Sequence, residues 1–133
     1  MINIPATHLD LLSDEKKALV YLATIMADGS PQVTPVWFNT SAEAILINSA
    51  LGRVKDKNMR NNPKVALVIA DPQNPYRYIQ IRGTVIEFIT EGAEEHIDTL
   101  NLKYNGTPTY PYHSPDQKRV IYKISPDKIQ TNG

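Results

Sequence analysis

The sequence predicts a mainly β protein, a small antiparallel barrel with short peripheral helices. Six runs rich in β-branched and aromatic residues recur at short spacing along the 133 residues. Helical periodicity is confined to brief segments, and Gly, Pro, Asn and Asp punctuate nearly every junction. Six closely spaced strands with few helices reach a packed core most readily by closing on themselves.

The elements follow in order. "THLDLLSDEK" reads as a short amphipathic helix, with Thr7 as N-cap and Leu11 and Leu12 turned inward. "ALVYLATIMADGSPQVTPVWFN" reads as two strands joined by a turn at Asp28-Gly29, which Ser30 and Pro31 extend. Pro35 inside the second strand cannot donate to a ladder, so it marks an edge or a bulge. "EAILINSA" is the third strand, and a short helix is expected over Val54–Asn61, ended by Asn62 and Pro63. "KVALVIA" is a nearly continuous apolar run, expected to be buried on both faces, and "DPQNPY" is a turn.

"RYIQIRGTVIEFIT" is the longest strand. Ile79 and Ile81 alternate with Tyr78, Gln80 and Arg82, and Gly83 breaks the alternation in the manner of a bulge. Thr90 is the expected cap of the helix "EGAEEHIDTLNLKYNG", whose Ala93, Ile97, Leu100 and Tyr104 share a face and whose stop is Asn105-Gly106. "TPTYPYHSPDQK" reads as an ordered loop and "RVIYKI" as the sixth strand.

Residues 1–133 make one domain; at that length about 68% of the unfolded chain's surface can be buried, so no staple is required. There is no cysteine, which removes disulfides, thiolate metal sites and cysteine nucleophiles. "MINIPATHLD" lacks the charged start and apolar centre of a secretion signal, and no apolar run approaches the ~20 residues of a membrane span, so a cytoplasmic location without membrane association is expected. Lys and Arg total 14 against 14 Asp and Glu, a balance that argues against nucleic acid as a partner.

Local charge is a different matter. "GRVKDKNMRNNP" carries Arg53, Lys55, Lys57 and Arg60 against Asp56 alone. Such a run is commonly a solvated helix face, and Lys57 and Arg60 fit that description. Arg53 and Lys55, however, flank a helix N-terminus fed by a strand that ends in Asn48 and Ser49. Free amides, the positive end of the helix and two cations make a phosphate pocket. Neither a P-loop nor a dinucleotide fingerprint occurs, and no Gly-x-Ser-x-Gly elbow. His8, His96 and His113 lie in separate elements without metal-ligand spacing and read as surface histidines, so no metal site is expected. Trp37, Tyr76, Tyr78, Tyr110 and Tyr112 offer flat apolar area for a planar ligand, a core or a dimer contact.

In combination, "LATIMADGSPQVTPVWF", "GRVKDKNMRNNPKVAL", "DPQNPYRYIQIRG" and "YPYHSPDQKRVIYKISPDKI" resemble, in order, the pyridoxamine 5′-phosphate oxidase-like FMN-binding split barrels. The nearest likeness is to their branch of small deazaflavin (coenzyme F-420)-dependent oxidoreductases, over roughly Leu9 to Ile129. The resemblance implies a six-stranded antiparallel split barrel that forms a homodimer with a cofactor cleft at each interface. It implies FMN or coenzyme F-420 as cofactor and hydride transfer to a small organic substrate. Gln32, Pro35, Val36 and Trp37 would run beside the ring, and Arg53 and Lys55 would grip the phosphate with Asn48, Ser49 and Asn58. Tyr78 and Gln80 would approach from the other protomer. The chain lacks the long C-terminal extension of the pyridoxamine phosphate oxidases proper, which disfavours vitamin B6 oxidation. No acid or base residue stands out. The alternative is a non-catalytic flavin, deazaflavin or haem carrier.

Overall fold

The computed structural model describes residues 4–133. A 3₁₀ helix at Ala6–Leu12 precedes β1 (Val20–Ile25), β2 (Pro31–Val36), β3 (Phe38–Ser41), β4 (Ala44–Ala50), α1 (Val54–Asn61), β5 (Lys64–Asp71), β6 (Asn74–Ile89), α2 (Ala93–Asn105) and β7 (Arg119–Asn132). The seven strands form one antiparallel sheet in the order β2-β1-β5-β6-β7-β4-β3.

The count is seven and not six because "PQVTPVWFN" is divided at Trp37. Val36 pairs with Val20 on β1, whereas Phe38 pairs with Ile47 on β4. One residue therefore joins the two edges of the sheet. Laid flat, seven strands would set those edges ~29 Å apart, while one linking residue spans only ~7 Å. The sheet must curl until its edges meet at Trp37. β2 and β3 do not pair with each other, so the curl stays open as a half-barrel. Pro31 and Pro35 lie on the β2 edge, where a missing N–H leaves no ladder bond unmade. The β1–β2 turn is tied by Met26 N donating to Ser30 O at 2.8 Å and by Asp28 Oδ1 accepting from the Ser30 amide and hydroxyl.

The long β6 pairs with β5 between Asn74 and Thr84 and with β7 between Tyr78 and Ile89. Its register shifts between Arg82 and Gly83, where a bulge was expected. A Cβ at Gly83 would lie 2.9 Å from both Ile124 Cγ2 and Ser125 O, so only glycine lets β7 pass so closely. Around this seam Leu22, Ile47, Leu67, Ile79, Ile81 and Ile124 are buried in one core.

Several local expectations are corrected. Thr7 lies within the 3₁₀ helix, with Pro5 at its N-cap position, and its hydroxyl meets His8 Nδ1; Leu11 is buried and Leu12 packs on the core. The "DPQNPY" turn shrinks, because Asn74 already pairs with Asp71. The final strand runs eight residues past Ile124, to Asn132; Pro126 and Asp127 break the alternation that would have announced it. Gly92 and not Thr90 is the N-cap of α2, since Thr90 contributes only its carbonyl to the Ala93 amide. β5 buries Val65, Leu67 and Ile69 but exposes Ala66 and leaves Val68 and Ala70 half-buried. Ala66, Val68 and Ala70 therefore alternate with the buried residues and face away from the core.

Candidate functional site

The end of β4 delivers the chain through Gly52, in the left-handed region at φ +88°, to the N-terminus of α1. The turn is fixed by Asp56, the one acid of the basic run. It is buried and accepts from the Tyr122 hydroxyl at 2.6 Å, the Gly52 amide at 2.9 Å and Arg60 Nε at 3.0 Å. Burial works against the charged carboxylate, but these donors outweigh it and hold its pKa below the usual range. Arg60 also lies over the Phe88 ring at 4.6 Å. Its charge is therefore paired with Asp56, although the side chain is 40% exposed, while Lys57 faces solvent.

Arg53 and Lys55 behave differently. They line a cleft of about 280 Å³ together with Pro35, Val36, Trp37, Asn48, Ser49 and Arg119. Arg53 is the N-cap of α1 and supplies no side-chain cap, so first-turn amides stay available, as they do at any uncapped helix start. Burial, and then the neighbouring Arg53, lower the pKa of Lys55. Arg119 is 5% exposed; its Nη2 reaches the Tyr110 hydroxyl at 3.4 Å and Gln117 at 3.5 Å. Among the described residues no carboxylate forms an ion pair with Arg53, Lys55 or Arg119. Three cations share one cleft without an acid. Ser49 is 2% exposed and its Oγ has no hydrogen-bond partner. A buried hydroxyl without a partner costs about 1–3 kcal/mol unless something else meets it. A dianionic phosphate would satisfy the cations, the amides and this hydroxyl together.

The aromatic wall is built by α2 and the loop after it. Trp37 stacks on Tyr104 at 5.1 Å and 9°, and Tyr110 meets its edge at 6.1 Å and 85°. Tyr104 Oη donates to Ala18 O at 2.6 Å and accepts from the Phe38 amide; burial pushes its pKa up to about 12. Lys103 Nζ donates to Phe38 O at 2.8 Å. The one-residue crossing at Trp37 is thus held by α2 and the loop that follows it. The 107–118 loop is tied to α2 by His113, whose nitrogens reach Asp98 at 2.6 Å and Glu94 at 2.8 Å. The two carboxylates, Asp98 first, raise the His113 pKa.

Of the eleven residues singled out from the sequence, Pro35, Val36, Trp37, Asn48, Ser49, Arg53 and Lys55 gather in this cleft. Asn58 does not line it: its amide is spent on Thr24 Oγ1 at 3.0 Å, and Thr24 in turn donates to Gln32 at 3.2 Å. Tyr78 and Gln80 lie on β6 outside it. Arg119 was missed because it opens "RVIYKI" and reads as the polar start of a strand; its register opposite Ala50 is what brings it to α1. Two histidines are corrected from surface to interior. His8 is 4% exposed and bonds Asn132 O, and His96 is 9% exposed. All six imidazole nitrogens have hydrogen-bond partners. Among the described residues no cluster of three or more His, Asp or Glu is placed to hold a metal, and no helix is long and apolar enough to cross a membrane.

A curled antiparallel sheet with unjoined edges and few short helices defines the class, a split-barrel protein. Residues 6–133 match the family described as pyridoxamine 5′-phosphate oxidase, and the chain belongs to that family. It is similar to a solved F-420 reductase at 31% identity, covering 96% of this chain and 98% of that one with a TM-score of 0.84. A conserved hypothetical protein of Mycobacterium tuberculosis shares the fold at 19% identity, with 98% and 86% of the two chains covered and a TM-score of 0.74. HupZ of Group A Streptococcus does so at 21% identity, with 98% and 94% covered and a TM-score of 0.67. No curated protein sequence matches the chain.

Proposed function

We propose that this chain is a flavin- or deazaflavin-dependent oxidoreductase that binds its cofactor by the phosphate in the Arg53–Lys55–Arg119 cleft. The observation that carries the reading is the acid-free trio of cations at the α1 N-terminus beside the unpartnered Ser49 hydroxyl. The bound cofactor would supply the hydride chemistry on a small organic substrate. The protein's part is to bind, orient and exclude water. Arg53, Lys55, Arg119, Ser49 and the first amides of α1 hold the phosphate. Pro35, Val36 and Trp37 lie along the ring, where the proline edge leaves backbone carbonyls unpaired.

The functional unit in this reading is a homodimer. Val33, Ala23 and Ala66 lie side by side across β2, β1 and β5 by register, and a groove of about 440 Å³ is lined by Ala23, Ile25, Pro31, Val65 and Ala66 together with the charged Lys64, Arg82, Asp127 and Lys128. A second copy seated there would cover the apolar face of β5. Tyr78 and Gln80 of that copy are the residues assigned to reach the cofactor.

The likeness to an F-420 reductase favours the deazaflavin over FMN. Its carboxylate-bearing tail would meet Lys57, the exposed cation of α1, since Arg60 is committed to Asp56. Parallel titrations with coenzyme F-420 and FMN at low and high salt test both parts. Lys55→Ala weakens binding of either cofactor about tenfold or more, as loss of one charge-assisted contact does. The deazaflavin binds more tightly, by a margin that shrinks as salt rises. Unchanged affinity in Lys55→Ala would refute the phosphate site, and FMN binding as tightly at every salt concentration would refute the deazaflavin preference.

A further inference from the structure

Asn48 Nδ2 carries two protons, and both are used. One goes to Ala93 O at 2.9 Å and the other to His96 Nδ1 at 3.0 Å. A carbonyl can only accept, so Ala93 settles which end of the Asn48 amide faces α2. His96 Nδ1 must then accept, which places the ring proton on Nε2, where Asn39 Oδ1 receives it at 2.8 Å. Burial keeps the imidazole neutral, with its pKa down at about 4, so this tautomer holds across the physiological range. The chain Asn39–His96–Asn48 leaves one atom over. Asn48 Oδ1 is buried, belongs to a residue of the cleft wall, and has no partner.

That atom is an acceptor. A phosphate ester near neutral pH presents acceptor oxygens, so Asn48 Oδ1 and a phosphate repel each other. Its neighbour Ser49 has a hydroxyl that can donate to phosphate. Two adjacent residues thus make opposite demands, one for an anion and one for a donor next to it. We infer that Asn48, held by His96 and Asn39, reads a hydroxyl on the chain that carries the phosphate, so that the cleft selects phosphorylated polyols over plain alkyl phosphates. His96 is a positioning residue here. It touches no ligand and acts through the Asn48 amide.

This rests on the phosphate-site reading, and the experiment separates the two. Two probes are titrated by flavin fluorescence: FMN, and its analogue in which an unhydroxylated pentyl chain replaces the ribityl chain. Wild type is expected to prefer FMN by about five- to tenfold, one hydrogen bond to a buried acceptor. Asn48→Ala and His96→Leu bind the two probes equally. His96→Gln restores the preference, because a glutamine amide can accept from Asn48 and donate to Asn39. The ratio of the two affinities within one folded variant is the readout, and a general loss of packing does not move it. Lys55→Ala weakens both probes alike and keeps the preference. Equal binding of the two probes by wild type, or a preference that survives in Asn48→Ala, overturns the inference while a Lys55 effect leaves the phosphate site standing. Failure of wild type to bind either probe, or no effect of Lys55→Ala on either, overturns the phosphate site and the inference with it.

Discussion

Asp56→Asn is a test of what shapes the cleft, because it alters the support of α1 without touching a residue of the cleft wall. Three donors converge on the Asp56 carboxylate: the Tyr122 hydroxyl, the Gly52 amide and Arg60 Nε. An asparagine amide has one acceptor and one donor, so at least one of those donors faces another N–H. Hydrogen bonds to a charged group contribute about 1.5–3 kcal/mol each, and breaking a buried pair costs about 3–5 kcal/mol. Arg60 is 40% exposed and water can replace part of its share. The three contacts are also not additive. A loss of about 3 kcal/mol is the reasoned value. Unfolding entropy near 2.1 cal/mol/K per residue, over this length, converts it to a fall in Tm of about 10 °C. Tyr122→Phe, which removes one donor and leaves two, should lose about half as much.

The pH dependence has a fixed sign. The Asp56 pKa is lowered in the fold, so its contribution is fully present above the unfolded value, about 3.9, and disappears as pH falls through the folded value. Thermal melts of wild type and Asp56→Asn should therefore differ by a constant amount at neutral pH, and the gap should close in acid. A Tm change under about 2 °C at neutral pH, or a gap that persists below both pKa values, would refute the assignment of Asp56 as the anchor of α1.

Two further outcomes are expected. The protein should run as a two-fold dimer without cofactor, since the groove lined by Ala23, Ile25, Pro31, Val65 and Ala66 is uncovered; light scattering that gives a monomer at micromolar concentration refutes this. His113 has a raised pKa, so the stability it lends by bridging Glu94 and Asp98 is complete below its unfolded pKa and lost as pH rises through the folded one. The Tm difference between wild type and His113→Ala should shrink on that rise, and a difference that stays level with pH refutes the bridge.

What the sequence discloses about the fold depends on how local the cause is. α1 spans Val54–Asn61 as expected because its strand, its proline stop and its polar surface are contiguous. The Gly106 stop of α2 is equally local, set by φ +78°, whereas the glycine at position 83 only signals a bulge whose cause, the near approach of Ser125 on β7, is remote in sequence. The division at Trp37 is not local. "TPVWFN" reads as one strand, and only the partners β1 and β4, remote in sequence, split it in two. The same holds for the tail of β7, whose pairing with β6 overrides a Pro-Asp that locally reads as a stop.

The site divides along the same line. Arg53, Lys55, Asn48 and Ser49 are legible because strand, turn and helix lie within one short segment. Arg119 and His96 are not, since each enters through a pairing or a packing contact more than forty residues away in the chain. Charge counting also misjudges the basic run. Its four cations fall into three environments that composition cannot separate: two against an acid-free cleft, one in water and one held by Asp56 over Phe88. The acid is the residue that sorts them. By taking up Arg60 and the Gly52 amide, Asp56 neutralises the far side of α1 and fixes the turn before it. The positive potential at the helix start is then left to Arg53, Lys55 and the free amides, with Arg119 facing them from β7. A run of the same net charge with its acid on the cleft side would pair internally and offer an incoming anion nothing. In the proposed phosphate reading, it is the position of one carboxylate, more than the number of bases, that would make this segment a receptor for negative charge.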